Sequence, residues 1–165
     1  MYDERFLRRA IALSAEALTR PGCEPFAAVV VKEGRIVGEG INRSQLTHDP
    51  TSHGETEAIR EACRNLASVD LRGCDLYSSC EPCALCVAAM EIAGIARLYY
   101  AAGLGQSNAA LAALPEAARF PIDSGRLRAQ CGLPVEERAM PARQALAGEA
   151  VAVIRAWADK ARAAR

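Results

Sequence analysis

The sequence predicts an α/β domain, and three observations carry that expectation. Apolar residues recur at three- and four-residue steps in several stretches, the pattern of helices with one buried face. Between them lie short continuous apolar runs, such as Phe26-Ala27-Ala28-Val29-Val30-Val31 and Leu98-Tyr99-Tyr100, which suit strands covered on both sides. Pro and Gly residues punctuate the boundaries. With 165 residues, 51% hydrophobic and 24% charged, the chain has the composition of a single domain, 1–165, with a substantial core.

The first helix is expected from Arg5 to Thr19, with Phe6, Leu7, Ala10, Ile11 and Leu18 near one face and Pro21-Gly22 ending it. Pro25 leads into a strand, Phe26–Val31. Lys32-Glu33-Gly34-Arg35 then turns the chain into an antiparallel partner, Ile36–Asn42. Arg43–Pro50 reads as polar loop, and Asp49, Thr51 or Ser52 caps a helix from about Ser52 to Leu66. Its apolar stripe is Ala58, Ile59, Ala62, Cys63 and Leu66. Asp75–Ser78 is a short strand, Cys83 to Ile92 a helix ended by Gly94, and Ile95–Ala102 a further strand. Strand–helix–strand–helix in that order implies right-handed crossovers.

Beyond Gly103 the periodicity weakens. Ala109–Ala118 is expected to be helical, Pro121–Arg128 to be loop and short turn, and Val135 and Met140 have no partner pattern. The last helix, Glu149–Ala163, turns Val151, Ile154, Trp157 and Ala158 inward or towards a partner subunit. Its basic tail, Lys160, Arg162 and Arg165, suits a helix C-terminus.

Charge and cysteine content narrow the function classes. Twenty basic and twenty acidic residues balance to zero, so a nucleic-acid partner, which draws on a concentrated positive patch, is not expected. No apolar run approaches the roughly twenty residues of a membrane-spanning helix, so no membrane partner is expected either. Met1-Tyr2-Asp3-Glu4-Arg5 leads into an amphipathic helix rather than a secretory apolar region, and the expected location is cytoplasmic. There the seven cysteines remain reduced.

The chemistry-bearing residues fall in two short stretches, His53-Gly54-Glu55 and Pro82-Cys83-Ala84-Leu85-Cys86. Cys83 and Cys86 lie on the first turn of a helix opened by Pro82, where free N–H groups favour thiolates. With His53 as third ligand the set leaves a fourth zinc position open, the arrangement of a catalytic site. A structural zinc site needs another ligand, and Cys80 is the nearby cysteine to supply it. Zinc bound by an imidazole and two thiolates acidifies its water. Glu55, two residues from a ligand, is cast as the proton shuttle.

H-x-E followed by P-C-x-x-C resembles the zinc deaminases that act on cytosine- or adenine-like rings. The likeness extends through Pro25-Phe26 to Val31-Lys32, Glu39–Asn42, Asp49–His53, Tyr77–Cys83, Tyr99–Ala102, Pro134–Pro141 and Ala156-Trp157. The chain thus resembles the cytidine/deoxycytidylate deaminase superfamily, and within it the bacterial guanine deaminase-like nucleobase deaminases. That resemblance implies a three-layer α/β/α fold with a central mixed five-stranded sheet, a homodimer, and a last helix exchanged between subunits. It implies zinc in each subunit, held by His53, Cys83 and Cys86, with Glu55 catalytic. It also assigns Asn42 to the substrate ring, with the backbone of Gly54, Cys80 and Glu81 facing the substrate. Phe26 is either a pocket wall or core.

Two places depart from that group. Gly54 stands where alanine is common. Ile92 and the Gly105–Ala110 stretch stand where a tryptophan and an acidic substrate reader are matched, with Glu91, Gln106 and Asp123 as candidate replacements.

The implied activity is hydrolytic deamination of a free amino-substituted nucleobase or small heterocycle: guanine-like, cytosine-like or an aminotriazine. Deamination of a nucleoside, guanosine or cytidine, is the alternative, followed by tRNA adenosine deamination. A zinc-stabilised structural protein is the non-enzyme alternative, and it needs an occluded fourth zinc position because Glu55 is present.

Overall fold

In a computed structural model the chain is described over residues 2–115, 118 and 122–163. It divides into two compact units, Met1–Leu127 and Arg128–Arg165. The first is built on a mixed sheet of β1 (Glu24–Lys32), β2 (Arg35–Asn42), β3 (Asp75–Cys80) and β4 (Arg97–Ala102), in the order β2-β1-β3-β4. β1 runs antiparallel to both β2 and β3, while β3 and β4 are parallel. The β1–β2 turn has positive φ at Glu33 (50°) and Gly34 (73°), the backbone of a tight two-residue hairpin.

Alternation along the strands sorts side chains to two helical layers. On one face Ala28, Val30 and Leu76 pack against Ala58, Ile59 and Ala62 of α3 (Gly54–Leu66) and Met90 and Ala93 of α4 (Ala84–Ala93). On the other, Val29, Val31 and Tyr77 pack against Phe6 of α1 (Glu4–Ala15). Ala27 and Ile41 meet Leu13 of the same helix. The three-layer α/β/α arrangement is therefore present.

The sheet has four strands among the described residues, not the five expected. The stretch after β4 explains the difference. Leu104–Leu111, alanine-rich and without a β-branched residue, forms helix α5, which Gln106 caps by accepting from the Gly103 N–H at 2.8 Å. Further on, Pro134 and Pro141 flank a 3₁₀ turn at Val135–Glu137, and prolines cannot donate to a ladder.

Other boundaries shift for local reasons. α1 ends at Ala15 in a 3₁₀ turn, Glu16–Leu18, and buries Phe6, Ala10 and Leu13, leaving Ile11 and Leu18 exposed. Ser44–Thr47 within the expected loop is a short helix, α2. The helix expected over Ala109–Ala118 and the loop over Pro121–Arg128 lie partly outside the described residues, as does Arg165. Within them, Ser124–Cys131 is helix α6, whose start Asp123 caps by accepting from the Arg126 N–H at 2.9 Å.

In the second unit, α7 (Ala147–Ala163) has no buried residue, and Val151, Val153, Ile154 and Trp157 are all exposed. Among the described residues, no helix is long and apolar enough to cross a membrane.

Candidate active site

Two helix N-termini open onto the ends of the parallel strands β3 and β4, where α/β sheets usually place their ligands. α3 begins after His53 and α4 after Cys83, each residue extended in backbone (φ −79° and −75°) and neither capping its helix with its side chain. The side chains expected to cap α3 are engaged elsewhere. Asp49 accepts from the Thr51 N–H and hydroxyl at 2.8 and 2.7 Å, and Ser52 donates to Glu57 at 2.8 Å. The first-turn N–H groups of α3 and α4 thus keep their partial positive charge beside the site.

Small residues set the depth of α3. A Cβ on Gly40 would lie 2.2 Å from the Gly54 carbonyl oxygen and 2.4 Å from the Ala58 nitrogen. One on Gly54 would lie 2.7 Å from both the Ala27 Cα and the Phe26 carbonyl oxygen. Glycine at position 54, where the resemblance expects alanine, thus brings the first turn of α3 directly onto the backbone of β1. The loop before α3 is braced by Glu57, which is hydrogen-bonded by Ser52, Arg60 and Arg43. Burial raises the Glu57 carboxyl, but those three bonds outweigh it and hold the group below its ordinary range.

The result is a triangle of His53, Cys83 and Cys86. The two sulfurs are 3.7 Å apart, and His53 Nδ1 lies 3.5 Å from Cys83 and 3.4 Å from Cys86. Tetrahedral zinc, with Zn–S about 2.3 Å and Zn–N about 2.0 Å, needs donor separations of about 3.8 and about 3.5 Å. These donors fit it without rearrangement. Hydrogen bonding with Cys86 and His53 overcomes burial and lowers Cys83 to about 4, while the Cys83 sulfur, burial and Glu55 raise Cys86. Cys83 also raises His53. Cys83 is thus the readily ionised thiol of the pair, and binding of a metal ion would displace the proton from Cys86, since a thiolate is the ligand.

Glu55, buried on the first turn of α3, reaches the triangle, its Oε2 3.3 Å from Cys86 Sγ. Ser78 of β3 donates to its other oxygen, Oε1, at 2.9 Å. Burial raises the Glu55 carboxyl above the usual carboxylate range, and its own backbone N–H, then the bonds from Ser78 and Cys86, oppose that rise.

A cleft opens over this group. His53, Glu55 and Cys83 form one part of its lining, and Phe26, Asn42, Cys80 and Glu81 another. Every residue expected at the site is thus brought together except Gly54, which is buried beneath it against β1. Phe26 is half-buried and serves as a wall. Asn42 is buried, and its Oδ1 accepts from the Ser44 N–H (3.0 Å) and hydroxyl (2.9 Å). A backbone N–H can only donate, so the oxygen assignment is fixed and the two Nδ2 hydrogens are available to the cleft.

Sequence reasoning missed Leu104, Ser107, Asn108, Ile122 and Ser124, which complete the lining. Ser107 and Asn108 fall inside the stretch flagged as unmatched, which was the available signal. The candidate replacements named there do not line the cleft. Gln106 and Asp123 cap helices, and Glu91 and Ile92 are exposed on α4.

Residues 1–102 match the family described as the cytidine and deoxycytidylate deaminase zinc-binding region. The chain is 36% identical over 157 residues to guanine deaminase of Bacillus subtilis (strain 168), covering 95% of this chain and 94% of that one. An X-ray structure of guanine deaminase from Bacillus subtilis superposes with a TM-score of 0.80 over 96% of this chain and 95% of that one. A tRNA-specific adenosine deaminase of Aquifex aeolicus (strain VF5) is 38% identical over 102 residues, 62% of this chain and 67% of that one. A crystal structure of the protein NE0047 in complex with 2,6-diaminopurine is 27% identical, with a TM-score of 0.61 over 76% of this chain and 69% of that one.

Proposed function

The chain belongs to the cytidine and deoxycytidylate deaminase family, with its zinc-binding region, and from that premise we propose hydrolytic deamination of a free amino-substituted nucleobase or related small heterocycle. The observation that carries this reading is the zinc-sized triangle of His53, Cys83 and Cys86 with Glu55 against it on a cleft floor. The overall reaction converts a ring C–NH2 and water into a ring carbonyl and ammonia. Guanine-like, cytosine-like and aminotriazine rings are the candidate substrates. The likeness to guanine deaminase over nearly the whole chain favours the first.

His53, Cys83 and Cys86 hold the ion. Zinc in such a set lowers the pKa of a bound water towards neutrality and acts as a Lewis acid. Glu55 is the group that relays the attacking water's two protons, the first to the ring nitrogen and the second to the departing amine. Asn42 presents Nδ2 donors, so it suits a ring carbonyl or an unprotonated ring nitrogen. Phe26 covers a flat ring on one side. The backbone at Cys80 and Glu81, both in the cleft lining, completes the contacts.

A second reading, a nucleoside substrate, draws on a neighbouring hollow of about 200 Å³ that shares Asn42, His53 and Ile122 with the cleft. Ser44, Gln45, His48 and Pro50 extend it, giving room for a ring substituent. The tRNA reading has less support, since the tRNA-specific relative matches only 62% of this chain and the net charge is zero.

We further assign the protein to a homodimer whose α7 helices are exchanged. Val151, Ile154 and Trp157 recur at helical spacing and are exposed. The seven free cysteines suit the reducing cytoplasm.

The test is ammonia release by the zinc-loaded protein from guanine, cytosine, isocytosine, adenine, aminotriazines and the matching nucleosides. Turnover of a free base is expected. Turnover of nucleosides alone overturns the free-base assignment, and no detectable binding of single-stranded RNA at low salt retires the editing alternative.

A further inference from the structure

Ser78 lies on β3, one of the two inner strands of the sheet, between Ala28 of β1 and Tyr100 of β4, and is 1% exposed. Its hydroxyl meets two groups. The Cys80 N–H points at Oγ from 3.4 Å, and Oγ lies 2.9 Å from Glu55 Oε1. A backbone N–H has no role but donor, so Ser78 accepts there through a lone pair. Its own hydrogen is then free for the carboxylate.

The two oxygens of Glu55 therefore differ. Oε1 is tied to the sheet, and Oε2 is turned to the His53–Cys83–Cys86 triangle, 3.3 Å from Cys86 Sγ. The last torsion of the side chain is soft, so the carboxylate plane can swing. A full half-turn only exchanges equivalent oxygens and changes nothing, whereas intermediate angles carry the second oxygen away from the triangle. A directional hydrogen bond from Ser78 to the oxygen that faces the sheet opposes those intermediate angles.

We propose that Ser78 is the positioning residue of the deamination: its hydroxyl pins Glu55 Oε1 so that Oε2 is presented to the water and the ring. The proposal rests on the deaminase reading above. The proton balance is that of the reaction itself. Oε2 carries the first proton of the attacking water to the ring nitrogen and its second to the departing amine, while the Ser78 hydrogen stays in place. Ser78 touches neither substrate nor metal, so its effect is confined to the geometry of proton transfer.

The experiment compares parent, Ser78→Ala and Ser78→Thr as zinc-loaded proteins, measuring kcat, KM and bound zinc, with crystal structures of all three. Ser78→Ala is expected to lose about tenfold to a hundredfold in kcat, the scale of a misplaced catalytic group. KM and zinc per subunit stay unchanged. The threonine variant keeps the hydroxyl and recovers most of the rate. In the crystals, Glu55 holds one conformation in parent and Ser78→Thr and several in Ser78→Ala.

A Ser78→Ala kcat within twofold of the parent overturns the proposal. So does a loss that Ser78→Thr shares, or an undisturbed Glu55 in the Ser78→Ala crystal. Absence of ammonia release from the parent itself would instead sink the deaminase reading, and this inference with it.

Discussion

Asn42 divides its side chain between the fold and the cleft. Its oxygen closes a turn with Ser44, and its nitrogen remains for a ligand. Asn42→Asp keeps the acceptor for Ser44 and removes the donors. The variant should fold and hold zinc normally but lose at least about tenfold in kcat/KM, because a buried site that hydrogen-bonds its substrate suffers when a partner is removed. Unchanged kcat/KM in steady-state assays would remove Asn42 from substrate recognition. At this scale much was legible in the sequence. His53, Glu55, Cys83 and Cys86 belong to short local spacings that a helix start converts directly into geometry. The donor-only character of Asn42 was not legible, because it depends on a bond to a residue whose role no pattern announces. Ser78 was hidden for a related reason: a serine in an apolar strand declares a buried hydroxyl but not its acceptor on another element.

At the scale of elements, the decisive contact is α3 lying on β2. Gly38 and Gly40 give it room, with Ala58 and Ala62 as the facing small residues. Gly40→Ala should destabilise the protein by on the order of 3 kcal/mol, since the added Cβ meets backbone that cannot yield. It should also weaken zinc binding, because the start of α3 positions both Glu55 on its first turn and His53 just before it. Gly105→Ala is the matched control: nothing lies within 4 Å of its added Cβ. Chemical denaturation checks both, and equal stability of the two variants would contradict the account. The helix itself was readable from its stripe at Ala58, Ile59 and Ala62. Its start was not, since Asp49, Thr51 and Ser52 all look like caps in sequence and all form other bonds. Likewise Ile11 and Leu18 fit the periodicity of α1, but the helix stops at Ala15 and buries Leu13 instead.

At the scale of the whole chain, the strands were legible from their continuous apolar runs and the helices from their periodicity, while the mixed sheet between helical layers came from the resemblance. The fifth strand was an expectation of resemblance only, and the residues after β4 favour helix, 3₁₀ turn and proline. The weak amphipathicity of α5 and α6 also explains why the far wall of the cleft was missed. Such segments take their place from contacts distant in sequence, and periodicity cannot report those. The proposed dimer with exchanged α7 helices belongs to this scale too. Sedimentation should give twice the 17.6 kDa chain mass, and a chain ending before α7 should shift towards monomer. A full-length monomer would contradict the exchange.

The central claim is that Glu55 moves the protons of a zinc-dependent deamination. The measurement that tests it most directly is ammonia release by Glu55→Gln beside the parent, with bound zinc quantified in both. Glutamine preserves the shape and can still accept from Ser78, but it cannot shuttle a proton. Turnover is expected to fall by several orders of magnitude, with zinc retained in each subunit. Parent-like turnover in the zinc-loaded variant would contradict it.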